Sequence, residues 1–450
     1  MDKYKHDQSQ FISSPFKKWR WIIYILIAFS ILISLFFPTL LFNNALQKSS
    51  GVKKIYIAAN NSAAFNEIIR EFNKKNKGEI EVELVVFDYE KFSTNKKKEL
   101  ITRTMRSMNG KIDIFSIDQI WVPRIAKRAE NLSGYFTDDE LSNLLKPAME
   151  TCIYNGKLCS MPLFLDIGIM YYRKDLISRI PNYKKIEKSL SEGIKWEKLI
   201  ELSQKIHSKY AYVFQGKNYE GLVCNFLEFI GEHQNFKSKN LFSSLNNNKI
   251  ISRINLIKNM INRSKKIPKE VLNFEEASSF RYAIKNDIPF FRGWSTIYKL
   301  VKIHDKDSTK IDSLGIAPLP VFGNEGPVST IGGWNLMISK YSNVKKEAVK
   351  FLKFTMSVKA QKILYSKGEF LPLIKGIYKD SSYIYQHPRI KFYAAKLKTI
   401  VRRPFIKDYT RLSDILAFYI HSALSNQLNT KYAMSEAQKD IDKIKKIESK

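Results

Sequence analysis

Apolar residues recur along the chain at spacings that switch between those of strands and those of helices. The run KKIYIAA, which begins at Lys53, has the composition of a buried strand. In the following segment, SAAFNEIIREFNKKN, residues Phe65, Ile68 and Phe72 fall at helical spacing, and EIEVELVVF then alternates as a strand does. Strand, helix and strand make a βαβ unit, so the pattern predicts an α/β fold with parallel strands.

The same alternation continues beyond this first unit. The segment KKELITRTMRSM predicts a helix, and KIDIFSID predicts a buried strand that ends at Asp118. Ligands of open α/β sheets lie beyond the carboxyl ends of strands, which puts Asp118 where a site is expected. The later predicted elements are strands at 288–291, 313–317 and 335–338, helices around 196–207 and 223–231, and a helical region from Tyr409 onward.

One apolar segment stands apart from these elements. Residues 21–42 carry no charge and are long enough to cross about 30 Å of hydrocarbon as a helix. Lys17, Lys18 and Arg20 precede it, and basic flanks stay cytoplasmic, so the remaining chain is predicted to lie outside. We interpret the segment as an uncleaved anchor, because it is long for a signal peptide and no small-x-small site follows; a cleaved signal peptide is the alternative.

The chain is strongly basic, with 75 Lys+Arg against 43 Asp+Glu and a net charge of +32. Such a charge alone would favour a nucleic-acid or anionic-surface partner. The lysines are nevertheless scattered along the whole chain, and no helix-turn-helix, zinc-finger or RNA-binding signature is present. The export segment also separates the protein from nucleic acid, so we expect no nucleic-acid partner.

A β-hairpin is predicted in the segment TCIYNGKLCSMP. Asn155-Gly156 between short apolar runs is the strongest local signal for a two-residue turn. Counting outward from the turn places Cys152 opposite Cys159, at a separation that a disulfide can span, and an exported protein meets an oxidising compartment. The pair is therefore either a disulfide or two small apolar thiols, whereas Cys224 is expected to be a buried free thiol.

Six segments carry a resemblance to a known family. They are DIFSIDQIWVPRIA, YNGKLCSMPLFLDIGIMYYRKDL, YVFQGKNYEGLVCNFLEF, FFRGWSTIY, TIGGWNLMISKYS with KKEAVKFLKFTMS after it, and GEFLPLIKGIY. In this order and spacing they resemble the family 1 extracellular solute-binding proteins of bacterial ABC sugar importers, closest to the branch for trehalose, maltose and similar glycosides. The resemblance covers nearly everything after the apolar segment.

The resemblance implies an α/β, two-lobed periplasmic-binding-protein fold with a hinge and an interlobe cleft, here preceded by one N-terminal transmembrane helix. From the residues themselves we predict a cytoplasmic tail at 1–20, a transmembrane signal anchor at 21–42 and a spacer at 43–52. The resemblance implies lobe 1 at 53–164 and 331–368, and lobe 2 at 165–330 and 369–450. Crossings between the lobes would fall near 162–166, 320–330 and 369–373, where Pro and Gly mark breaks.

Sugars present hydroxyls at the ring edge and C–H groups on the faces, so a binder needs carboxylates, amides and aromatic planes. The positions that match the cleft motifs of the family are Asn61, Asp118, Trp121, Asp166, Tyr219, Glu220, Trp294, Gly333, Trp334 and Arg403, with Gly332 beside them and Asn60 as a looser match.

Each of these positions has a structural alternative. Trp121 and Trp294 could be core aromatics, and the two aspartates could cap helices. Arg292 and Arg403 could hold a ligand hydroxyl or pair with a carboxylate across the lobes.

The function implied is that of an extracytoplasmic substrate-binding component of an ABC transporter. It would capture a sugar or glycoside of the trehalose, maltose, sucrose or glucosylglycerol type and deliver it to permease subunits in the membrane. We expect a monomer on the periplasmic or extracytoplasmic face of the cytoplasmic membrane, with no cofactor and no metal.

Two other classes of function are compatible with a sugar-binding cleft. A receptor for a sensor or chemotaxis system would use the same cleft. A glycoside-processing enzyme could employ Asp118, Asp166 and Glu220 as acid and nucleophile, but only the residue types support it. The sequence has no Ser-His-Asp arrangement, no Gly-rich phosphate loop and no histidines at metal-ligand spacing, so we do not expect an enzyme.

Overall fold

A computed structural model of the protein describes residues 51–87, 94–106, 110–231, 244–301 and 307–448. The predicted cytoplasmic tail (1–20) and transmembrane anchor (21–42) lie outside these ranges. Within them, no helix combines the length and the apolar character that crossing a membrane requires.

The first elements form the predicted βαβ unit. Strands β1 (Lys53–Asn60) and β2 (Ile80–Phe87) pair in parallel and are joined by helix α1 (Ala63–Lys75). The helix begins at Ser62, whose side chain accepts a hydrogen bond from the Phe65 amide, which is the usual role of serine at this position. The local sequence therefore determines both the type and the start of these elements.

The described strands, apart from a small hairpin, form one nine-stranded mixed sheet. Its other strands are β3 (Ile114–Asp118), β6 (Met161–Arg173), β7 (Tyr212–Val213), β8 (Phe290–Trp294), β9 (Leu314–Ala317), β10 (Ser329–Ile338) and β11 (Ile400–Val401). The hairpin consists of β4 (Ile153–Tyr154) and β5 (Lys157–Leu158). The order across the sheet is β2-β1-β3-β10-β6-β8-β7, with β9 beside β6 and β11 beside β10.

Strands β6 and β10 connect two groups of shorter strands. The first half of β6 is antiparallel to β10, up to the pair Ile167 and Ile331, and the second half pairs with β8 from Gly168 and Trp294 onward. On its other side β10 is antiparallel to β3. One group is therefore β1 to β3, the other is β7 to β9, and both depend on the same two long strands.

Helices connect and cover the strands. The remaining helices are α2 (Thr94–Arg106), α3 (Val122–Ile125), α4 (Asp138–Ser142), α5 (Lys146–Met149), α6 (Lys174–Ile177), α7 (Tyr183–Glu192), α8 (Trp196–Lys205), α9 (Glu220–Ile230), α10 (Asn248–Asn262), α11 (Glu276–Lys285), α12 (Ile297–Leu300), α13 (Ser308–Asp312), α14 (Lys345–Thr355), α15 (Val358–Gly368), α16 (Ser381–Gln386), α17 (Arg389–Lys396), α18 (Tyr409–Leu424) and α19 (Thr430–Glu448). Short 3-10 turns lie at Gln119–Trp121, Ala126–Arg128, Lys269–Asn273 and Lys375–Lys379. Every residue of α9 is buried, and α9 packs against α18, which in turn packs against α19.

The sequence predicts only 335–338 for strand β10, because the pair of glycines in its first half does not resemble a strand. The observed strand is longer and begins at Ser329. A Cβ on Gly333 would lie 2.6 Å from the Phe164 carbonyl oxygen, and its φ of +153° disfavours other residues. A Cβ on Gly332 would lie 3.1 Å from the ring of Trp294. The glycines therefore allow neighbouring protein groups to approach β10 closely, rather than serving only a ligand.

The hairpin has the predicted turn and register. Asn155 and Gly156 have φ values of 50° and 73°, as a type I′ turn requires. Cys152 and Cys159 are buried but remain separate thiols, so the disulfide alternative is not the one observed. Their sulfurs point to different carbonyls: Cys152 Sγ donates to Ala148 at 3.5 Å, and Cys159 Sγ donates to Lys157 at 3.4 Å.

We expect thiol titration of the denatured, unreduced protein to detect all three cysteines, because the structure has three free thiols. In the folded protein the reaction of Cys152 should be slow, since burial raises the pKa of its thiol to about 12. Only one titratable thiol after denaturation would contradict the structure and reinstate the bridge.

Candidate ligand-binding cleft

A cavity of about 120 Å³ lies where the two groups of strands meet. The ends of β1 and β3, the middle of β6 and the first half of β10 all contribute to its wall. The residues that line it are Ala59, Asn60, Asn61, Ser62, Phe65, Ser116, Asp118, Leu163, Phe164, Asp166, Glu220, Gly221, Cys224, Glu276, Trp294, Thr296, Leu300, Gly332, Gly333, Trp334, Leu364, Phe370 and Arg403.

Eight of the ten positions implied by the sequence line this cavity: Asn61, Asp118, Asp166, Glu220, Trp294, Gly333, Trp334 and Arg403. The other two lie behind the wall. Trp121 is buried, with its ring edge-on to Trp334 at a centroid distance of 5.8 Å. Tyr219 is buried at the start of α9, where its hydroxyl lowers the pKa of Glu276. Both support residues of the wall.

A buried arginine links two of the predicted carboxylates. Nη1 and Nη2 of Arg403 donate to the two oxygens of Asp118 at 3.0 and 2.9 Å. Nη1 also donates to Oε1 of Glu220 at 3.1 Å. The Tyr409 hydroxyl donates to the same oxygen at 2.8 Å, and the Ser413 hydroxyl donates to Oε2. Of the two roles considered for Arg403, the structure shows pairing with carboxylates.

Charge in this buried group is only partly balanced. Burial raises the pKa of Glu220, and the positive charge of Arg403 opposes that rise. Asp118 also has the capping role considered for it, because it accepts a hydrogen bond from the Ile120 amide at 3.2 Å. When both carboxylates are ionised, they and the one guanidinium carry one net negative charge at the cavity wall.

Asp166 lies within β6 and does not cap a helix. Its carboxylate accepts hydrogen bonds from the hydroxyls of Ser295 at 2.5 Å and Thr296 at 2.9 Å, and from the Ile167 amide at 3.0 Å. Among the described residues it forms no ion pair, and burial raises the pKa of its carboxyl to about 6. Neutral donors therefore orient a carboxylate whose charge is costly in this position.

The two cavity tryptophans are both partly exposed but have different neighbours. Trp334 meets the ring of Trp121 edge-on. The guanidinium of Arg292 lies 4.1 Å from the ring centroid of Trp294 and covers one face. Arg292 itself is outside the cavity wall and pairs with Glu228 at 2.9 and 3.1 Å. Trp334 is therefore the better platform for a ligand.

Several lining residues were not found from the sequence. Glu276 is the first residue of α11, and nothing in the run FEEASSF distinguishes it from its neighbour Glu275. Phe164 and Phe370, whose ring centroids are 4.2 Å apart, come from β6 and from the chain after α15. The alternating pattern of β6 could have indicated that Phe164 shares a face with Asp166.

The profile of the bacterial extracellular solute-binding protein family matches residues 58–362. The chain belongs to this family. A probable ABC transporter-binding protein of Deinococcus radiodurans is 27% identical to this solute-binding protein, in an alignment 351 residues long that covers 74% of this chain and 80% of the relative.

Two solved structures show the fold that this solute-binding protein shares. Maltose-bound MalE3 of T. maritima has 26% identity and a TM-score of 0.76, covering 87% of this chain and 100% of the other. A solute-binding protein of Thermotoga lettingae bound with alpha-D-tagatose has 18% identity and a TM-score of 0.74, covering 88% and 100%. The solute-binding protein thus has the two-lobed α/β periplasmic-binding-protein fold, as the resemblance implied.

Replacing Asp166 with Asn should make the unliganded solute-binding protein more stable at neutral pH. The raised pKa means that ionisation destabilises the fold, a cost absent below the ordinary pKa of 3.8 and complete once the pH passes about 6. We expect a gain of about 2 to 3 kcal/mol near pH 8, smaller near pH 4.5. Urea unfolding at both pH values measures it, and a difference independent of pH would contradict the assignment.

Replacing Arg403 with Met should destabilise the protein by about 3 to 5 kcal/mol, because Asp118 and Glu220 would be left buried without a cation. The double variant Asp118→Asn, Arg403→Met should recover part of that loss, since one of the two charges is also removed. Urea midpoints of the three proteins test this. A loss below about 1 kcal/mol in the single variant would show that the pair is weak.

Proposed function

We propose that the protein captures a sugar or glycoside between its lobes, outside the cytoplasm, and delivers it to the permease subunits of an ABC importer. Membership of the solute-binding family supports the transport role. The chemistry of the cavity supports the ligand class, because carboxylates, an amide and aromatic rings converge there.

Two unsatisfied polar atoms carry the argument for a hydroxyl-rich ligand. Oδ1 of Asn60 and Nε of Arg403 are buried and have no hydrogen-bond partner in the described protein, and both residues line the cavity. A buried polar atom without a partner costs about 1 to 3 kcal/mol. A sugar hydroxyl can both donate and accept, so it can satisfy either atom, whereas an apolar ligand can satisfy neither.

Ring and edge of a sugar would then meet different parts of the wall. Asp118, Asp166 and Glu220 offer carboxylate oxygens to the hydroxyls, in the strong charge-assisted form of the hydrogen bond. The exposed part of Trp334 offers an apolar plane to the C–H face of the ring.

In this proposal the lobes consist of 53–164 with 331–368, and of 165–330 with 369–450. The Arg403–Asp118 ion pair then joins one lobe to the other and favours their approach. Strands β6 and β10 provide two crossings, and the predicted crossing at 369–373 lies beside β6 through the bridge between Leu165 and Leu371. Ligand contacts with both lobes would add to this approach, as in hinge closure.

The sugar is proposed to be of the trehalose, maltose, sucrose or glucosylglycerol type. The related structures are of proteins bound with maltose and with tagatose, which supports the sugar class. Segment 21–42, which lies outside the described residues, is proposed to anchor the protein to the membrane as a monomer.

A thermal-shift screen of these four sugars should give at least one that raises the melting temperature. Trp334→Ala should weaken binding of that sugar by about 1 to 3 kcal/mol, the scale of burying a large side chain. Tyr385→Ala is the matched control, because this aromatic residue is 88% exposed and lies outside the cavity wall.

The bound sugar should also reduce the radius of gyration in solution scattering.

Failure of every sugar to stabilise the protein would contradict the proposed ligand class. Equal affinity in the Trp334→Ala variant would remove the ring from the site while leaving the ligand class intact.

A further inference from the structure

Acidic side chains outnumber basic ones on the wall of the cleft. The cavity is lined by four carboxylates, which belong to Asp118, Asp166, Glu220 and Glu276. One arginine, Arg403, also lines it. When all are ionised, four carboxylates against one guanidinium leave three negative charges unbalanced. Asp118 and Glu220 share Arg403, whereas Asp166 and Glu276 form no ion pair within the described part of the chain.

The groups that hold these last two carboxylates are neutral. Ser295 and Thr296 donate hydroxyl hydrogen bonds to Asp166. Nε1 of Trp294 lies 3.4 Å from Oε1 of Glu276, and the Tyr219 hydroxyl lowers the pKa of the same carboxyl. These donors orient the oxygens but do not cancel their charge.

Arg292, whose charge acts on both Asp166 and Glu276, already has a carboxylate partner. Arg292 lies behind Trp294, where it forms a buried pair with Glu228 through Nε and Nη2. Within the described part of the chain, no three His, Cys, Asp or Glu side chains are placed to hold a metal ion. Within the described residues, Asp166 and Glu276 are thus paired neither with an arginine nor with a group of side chains suited to binding a metal ion.

We propose that Asp166 and Glu276 restrict the ligand to uncharged, hydroxyl-donating sugars and exclude sugar acids and phosphorylated sugars. This selectivity rests on the proposed function, whose ligand class it narrows. A carboxylate only accepts hydrogen bonds, so a ligand group that faces it must donate. An anionic ligand group has no proton to donate there and is repelled in a partly desolvated site.

The positive net charge of the chain makes selection against anions within the cleft necessary. With a net charge of +32, the protein attracts anionic solutes at long range. Discrimination against them must therefore arise from groups inside the cleft, where the distance to the ligand is short and screening by salt is weak.

The test compares matched neutral and anionic sugars by calorimetry: trehalose with trehalose 6-phosphate, and maltose with maltobionate. A pH near 8 keeps Asp166 ionised, since its pKa is about 6. The wild type should bind the neutral member at least about 100-fold more tightly. Glu276→Gln should reduce that ratio roughly tenfold, because the amide removes one charge and can donate.

Glu275→Gln is the matched control. Glu275 adjoins Glu276 at the start of α11, but its carboxylate pairs with Lys217 and lies outside the cavity wall. The control should keep the wild-type ratio. Asp166→Asn is a second test variant and should shift the ratio in the same direction as Glu276→Gln. The inference can therefore be tested even when one of the two variants does not fold.

An unchanged ratio in both cleft variants, or an equal shift in Glu275→Gln, would overturn the inference. Tight binding of a neutral sugar together with equally tight binding of its anionic partner would overturn the selectivity alone. If neither trehalose nor maltose binds, and no other sugar of the screen binds, the proposed function is overturned and the selectivity with it.

Discussion

The guanidinium of Arg403, held between Asp118 and Glu220, determines how the rest of the cleft is arranged. It joins chain segments that are 285 and 183 residues apart in sequence: the end of β3, the start of α9 and the chain after β11. Since a buried arginine is tolerated only when its charge is matched, these segments must meet in one geometry. The positions of the neighbouring aromatic and acidic side chains follow from that requirement.

The two long strands, β6 and β10, give the cleft its second constraint. Strand β10 pairs with β3 of one group, β6 pairs with β8 and β9 of the other, and residues that pair β6 with β10 also line the cavity. Asp166 pairs with Gly332, and the lack of a side chain on that glycine leaves room for the ring of Trp294. Strand pairing and the shape of the cavity wall therefore depend on the same few positions, which limits the substitutions that β10 can accept.

Local chemistry made much of the fold predictable from the sequence. The first βαβ unit and the turn at Asn155-Gly156 follow from periodicity and from glycine conformation. The partners of Arg292 and Arg403 could not be predicted, because ion pairing between distant segments leaves no pattern in the sequence. Glu276 was missed for the same reason, since only the packing of α11 against β8 shows which of two adjacent glutamates faces the cavity.

The burial of every cysteine has a practical consequence for following motion in this protein. The chain contains three cysteines, and all of them are enclosed by the fold. A single cysteine introduced at an exposed rim position such as Asn61 would be the fastest-reacting thiol on the folded protein, because the native thiols are shielded from reagents. A fluorophore attached there would report movement at the edge of the cleft, so the protein is already suited to conversion into an optical sensor without removal of its own cysteines.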